Sequence, residues 1–100
     1  FSKNPKIQIV PAPHPEECSF HIYELIVPDR EALLSELAKN DIYGGVHHRG
    51  NTEFSMWTYA QASCPRAHAV TRRSITMPLH LYLTDEDVQK IIRIVNNFVK

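Results

Sequence analysis

Two histidines, an arginine, an asparagine and a threonine follow a pair of glycines in the run G-G-V-H-H-R-G-N-T, residues 44–52. A guanidinium offers paired donors that match phosphate oxygens, and an imidazole adds a directional donor beside it. His47, His48 and Arg49 could therefore hold an anion, and Asn51 and Thr52 could hydrogen-bond a sugar hydroxyl. Gly44 and Gly45 have no side chain, so backbone or ligand can approach closely at the same place. Loops are polar in any case, and a solvated surface loop accounts for the same residues.

Other residues with chemical potential lead less far. His47, His48, Cys64 and His68 can be read as metal ligands, with Cys64 and His68 one helical turn apart. Zinc needs three or four such ligands converging tetrahedrally, and the chain has neither a Cys-x-x-Cys pair nor a His-Glu-x-x-His run. Adjacent histidines on a strand also point to opposite faces. Cys64, beside Pro65 at a helix start, reads as structural rather than as a nucleophile. His21 and His80 lie in or beside apolar segments and are expected as core histidines bonded to a carbonyl. Lys3, Lys6, Lys39, Lys90 and Lys100 lack the apolar setting that Schiff-base chemistry asks of a lysine.

The elements that must position these groups follow from periodicity and punctuation. Residues 1–17 carry Pro5, Pro11, Pro13 and Pro15, which predicts an extended connector with a short strand at 7–10. Residues 19–27 are aromatic and β-branched on both alternating sets, predicting a strand covered on both faces and ended by Pro28. Asp29 can cap a helix with apolar positions Leu33, Leu34, Leu37 and Ala38, stopping at Asn40 or Asp41. Residues 42–47 are a second strand candidate and 49–53 a polar loop. Phe54, Met56, Trp57 and Tyr59 form one irregular or helical turn, either a lid over the core or an interface with another domain. A loop over 61–63 follows, then a helix from Pro65 to about Arg73 and a third core strand at 74–77. Thr84 and Asp87 approximate a capping box for a last helix that buries Val88, Ile91, Ile92, Val95 and Phe98. This order predicts an α/β (α+β) two-layer sandwich, with three or four mainly antiparallel strands and helices on one face.

The chain has 100 residues, enough for one domain that buries roughly two-thirds of its unfolded surface. Eleven basic and eleven acidic residues are interspersed, so no basic stripe invites nucleic acid. No apolar run is long enough to cross a membrane, and the N-terminus does not read as an export signal. Two distant cysteines suggest no disulfide framework and fit a reducing, cytoplasmic setting. The chain opens on Phe1, as a domain taken from a longer protein would, and as a trimmed short protein would.

Three segments in order, S-F-H-I-Y at 19–23, G-G-V-H-H-R at 44–49 and the stretch 64–87 with its M-P-L-H and T-D-E-D runs, resemble the C-terminal small domain of the DegT-type (DegT/DnrJ/StrS) sugar aminotransferases. The resemblance divides the chain into a connector, 1–17, and a small domain of a fold-type I aminotransferase, 18–100. It implies an enzyme that holds pyridoxal 5'-phosphate on a lysine of a large N-terminal domain, absent here, and acts as a homodimer. That enzyme would move an amino group, with glutamate as donor, onto a 3-keto or 4-keto nucleotide sugar. No cofactor is expected on this chain alone. The segment around His47 would face the sugar nucleotide, making His47, His48, Arg49 and Asn51 the expected substrate contacts. His48 stands where many members have tyrosine, and residues 49–54 replace a proline run, so Arg49 and Asn51 are particular to this branch. The resemblance favours the interface reading of the aromatic cluster. A free-standing, ferredoxin-like binding or regulatory module is the alternative.

Overall fold

Leu25 lies opposite Ile75 across an antiparallel ladder, and Val27 and Met77 fall on the same face by strand alternation. These four residues form the sheet's share of one core. In the computed structural model, which describes residues 1–12, 14–60 and 62–100, the elements are β1 (Gln8–Ile9), β2 (Tyr23–Ile26), α1 (Arg30–Ala38), α2 (Pro65–Thr71), β3 (Ser74–Met77) and α3 (Asp85–Phe98), with short 3-10 turns at Pro15–Glu17, Asn51–Glu53 and Ser55–Ala60. The strands pair in the order β1-β2-β3, antiparallel throughout. Leu33 and Leu37 of α1 and Ile91 and Val95 of α3 close the core over the sheet. A ferredoxin-like interleaving of four strands is not what the described residues form.

Local signals explain where the elements start. Asp29 Oδ1 accepts from the Ala32 N–H at 3.0 Å and caps α1. The helix ends at Ala38, and the chain turns through Asp41 at φ 60°, a left-handed position that Asp tolerates. At α3 the Thr84 hydroxyl accepts from the Asp87 N–H, and the Asp87 carboxylate accepts from the Thr84 N–H. Lys90 donates to the Asn40 carbonyl at 2.9 Å, tying α3 to the turn after α1.

Several expectations change. The strand candidate at 42–47 reduces to one bridge, Gly45 with Thr76, because the two glycines offer no side chains to pack. β2 starts only at Tyr23, since Phe20 sits at φ 48° and leaves the strand region. Its second face is covered but mixed in character: Ile26, Ser74 and Thr76 are buried there beside half-buried Glu24. In α1, Ala38 is exposed. In α3, Val88 and Phe98 are each 38% exposed, and the buried stripe runs Ile91, Val95, Val99 at four-residue spacing. Within residues 1–17, the strand expected at 7–10 forms as the short edge strand β1, Ile7 is buried, and Asn4 Nδ2 donates to the Val99 carbonyl at 2.7 Å. Pro13 of that segment and Gln61, expected to open a loop, lie outside the described residues.

Candidate functional site

Strand alternation sends Glu24 and Ile26 of β2, and Ser74 and Thr76 of β3, to the sheet face away from the core. A groove of about 450 Å³ opens beside this face at Glu24. Glu24 lines it, with the 47–52 segment on one side and Cys64, His68 and Thr71 of the α2 region on the other. His47, His48, Arg49 and Asn51, chosen from sequence as one set, all line this groove.

Each of the groups is held differently. His47 Nδ1 lies 2.9 Å from Thr76 Oγ1, and Nε2 has no hydrogen-bond partner among the described residues. Gly45 makes that contact possible, since a Cβ there would stand 2.6 Å from the His47 ring and 2.7 Å from the Thr76 hydroxyl. Ser74 Oγ donates to Glu24 Oε1 and lies 3.5 Å from the His47 carbonyl oxygen. Arg49 Nε donates to Glu53 Oε2 at 3.2 Å, and its guanidinium carbon lies 5.3 Å from the centre of the Phe54 ring. The other Glu53 oxygen stands 3.6 Å from His68 Nδ1, so one carboxylate joins the 51–53 turn to α2. Arg49 is thereby oriented by its Nε and its face over Phe54, and its two terminal nitrogens have no hydrogen-bond partner among the described residues.

Sequence reasoning passed over Glu24, Glu53 and Thr76. A charged residue inside the short strand Tyr-Glu-Leu-Ile was the available signal for Glu24. Nothing local pointed to Thr76 as the partner of His47, 29 positions away. His21 and His80 are exposed rather than in the core. His21 Nδ1 meets Ser19 Oγ at 3.2 Å, in the segment that Phe20 turns away from the sheet, and His80 lies in the turn after β3. Among the described residues, no three His, Cys, Asp or Glu side chains come together as metal ligands. Phe54, Met56, Trp57 and Tyr59 lie outside the core cluster and are exposed, which removes the lid reading.

A three-stranded antiparallel sheet with α1 and α3 on one face and a groove beside the other defines a small α+β domain. The sequence model of the DegT/DnrJ/EryC1/StrS aminotransferase family matches residues 1–96, and the chain belongs to that family. Its fold is similar to that of the sugar aminotransferase Spr1654 from Streptococcus pneumoniae, in the apo form, at 29% identity and a TM-score of 0.80, covering 94% of this chain and 27% of that one. Spr1654 also has PLP and PMP forms. AtS13 from Actinomadura melliaura is 25% identical with a TM-score of 0.81, covering 96% of this chain and 26% of its own. TlmJ, an aminotransferase from Streptoalloteichus hindustanus, shares the fold at a TM-score of 0.84 and 21% identity, over 96% of this chain and 27% of that one. A comparison with curated protein sequences gives no significant match. No helix among the described residues is long and apolar enough to cross a membrane.

Proposed function

We propose that the chain is the C-terminal small domain, 18–100 with its connector 1–17, of a pyridoxal-phosphate-dependent aminotransferase that moves an amino group from glutamate onto a keto nucleotide sugar. The observation that carries this reading is the convergence of His47, His48, Arg49 and Asn51 on one groove in a chain of the aminotransferase family. Arg49, with Nε on Glu53, turns its terminal nitrogens to the diphosphate. His47 Nε2 and Asn51 hydrogen-bond the sugar or ribose hydroxyls. The large cofactor-binding domain, the homodimer and the cytoplasmic setting belong to the same proposal. The chain's span of 27% of Spr1654 supports the first of these.

The residues present do not fit the cofactor itself. No lysine lines the groove: Lys90 donates to the Asn40 carbonyl, Lys39 pairs with Glu36, and Lys6 donates to the Lys100 carbonyl. Cofactor chemistry is therefore assigned to the other domain, and this chain binds and orients the acceptor.

In the whole enzyme, Arg49→Ala removes a charge-assisted contact and should raise KM for the keto sugar about ten- to a hundred-fold. The half-reaction with glutamate, followed by the visible absorbance, should be unchanged, because it does not use the nucleotide site. Arg49→Lys should recover part of the loss, since a point charge does not reproduce paired donors. Equal slowing of both half-reactions by Arg49→Ala would remove the nucleotide sugar from this groove.

A further inference from the structure

A carboxylate in a short strand between apolar neighbours is costly to bury unless something compensates it. Glu24 is half-buried, opposite Thr76 in the ladder, on the sheet face away from the core. Ser74 Oγ, itself buried, donates to its Oε1. Among the described residues, no lysine, arginine or histidine forms an ion pair with it. Its Oε2 has no donor in the described chain and is not a buried orphan, so it stays open to solvent. Both features are those of an acceptor held in place with lone pairs to spare.

The groove supplies the rest of the argument. Glu24 lines it together with His47, His48, Arg49 and Asn51. The Arg49 guanidinium is drawn to Glu53, not to Glu24. Beyond Ser74, Glu24 has no side-chain donor among the described residues, so a ligand's donors can replace the solvent at its Oε2. Sugar hydroxyls fit, because neighbouring O–H groups can both donate to one carboxylate. A diphosphate does not, since it is anionic and meets a like charge.

We propose that Glu24, positioned by Ser74, is the residue that binds the hexose hydroxyls of the ligand, with the diphosphate kept toward Arg49. The assignment rests on the nucleotide-sugar reading above and divides that one groove into an anionic, hydroxyl-reading part at Glu24 and a cationic, diphosphate-reading part at Arg49. It makes Glu24 a determinant of which hexose is accepted.

Equilibrium binding to the whole enzyme tests it, by calorimetry with UDP-glucose and dTDP-glucose as probes and UDP and dTDP as hexose-free controls. Glu24→Leu should weaken at least one glucose nucleotide about ten-fold or more and leave the matching diphosphate unchanged. Glu24→Gln, which keeps one acceptor oxygen, should lose less. Ser74→Ala should weaken the same probe by less than Glu24→Leu does. Glu24→Leu leaves the buried Ser74 hydroxyl without its carboxylate acceptor, so some fall in melting temperature is expected, and unchanged binding of the bare diphosphate is the readout that separates a lost sugar contact from a misfolded site. Unchanged glucose-nucleotide binding in Glu24→Leu, or equal loss of sugar nucleotide and bare diphosphate, overturns the assignment while the nucleotide-sugar reading stands. A wild-type enzyme that binds none of the four probes overturns both.

Discussion

An imidazole whose Nδ1 is engaged by a threonine hydroxyl has one nitrogen left, and the direction of that nitrogen is set by the ring's mooring. For His47 the mooring is Thr76, and the space for it is the missing side chain of Gly45. Gly45→Ala would place a methyl 2.6 Å from the His47 ring, far inside van der Waals contact, so the ring or the backbone must shift. We expect this variant to lose the His47–Thr76 hydrogen bond at a stability cost of about 1 kcal/mol. Histidine side-chain nitrogen NMR should show His47 changing its tautomer balance. An unaltered His47 spectrum in a folded Gly45→Ala protein would count against the mooring. The same spacing logic limits what could be read from sequence here. The adjacency of His47, His48, Arg49 and Asn51 is visible in the chain, whereas Thr76, Ser74 and Glu24 reach them only through strand pairing.

Among the elements, α3 carries the clearest link between sequence and energetics. Its capping box satisfies two backbone N–H groups that the first turn would leave bare. Thr84→Ala should cost about 1 kcal/mol, read by thermal or urea unfolding. The hydrogen bond from the Thr84 side chain, then that from the Thr84 backbone, holds the Asp87 carboxyl below its ordinary value of 3.8. A carboxyl depressed on folding stabilises the folded state above its unfolded pKa, and that contribution disappears as pH falls from 3.8 through the folded pKa. The stability difference between the wild-type chain and Asp87→Asn should therefore shrink below pH 3.8 and be constant near neutrality. A difference that grows on acidification would contradict this sign.

At the scale of the whole molecule, two of the segments that expose apolar side chains stand out among the described residues. Met56 and Tyr59 are 73% and 80% exposed, and Leu81 and Tyr82 after β3 are almost entirely so. Monomers seldom leave such patches uncovered. The chain by itself should self-associate as its concentration rises, measured by light scattering, and Trp57→Ser or Leu81→Ser should reduce the association. A scattering mass that stays monomeric throughout would mean that these side chains need no partner. In the proposed enzyme they meet the large domain or the second subunit, which explains why a family domain would carry them.

Periodicity and punctuation determine α1, α3 and their caps in advance, because Asp29 and Thr84 act on backbone within three residues of themselves. The antiparallel α+β class follows from the same local information, and so does the cluster at 47–51. Tertiary structure decides the rest. It turns the 42–47 segment into a single bridge, since Gly44 and Gly45 bring no side chains to pack and weaken strand pairing. It leaves His21 and His80 in solvent, a matter of where Phe20 and the turn after β3 direct the chain. It assembles the polar face of Glu24, Ser74 and Thr76 beneath His47, because register alone determines which residues of distant strands share a face, and register depends on the whole sheet.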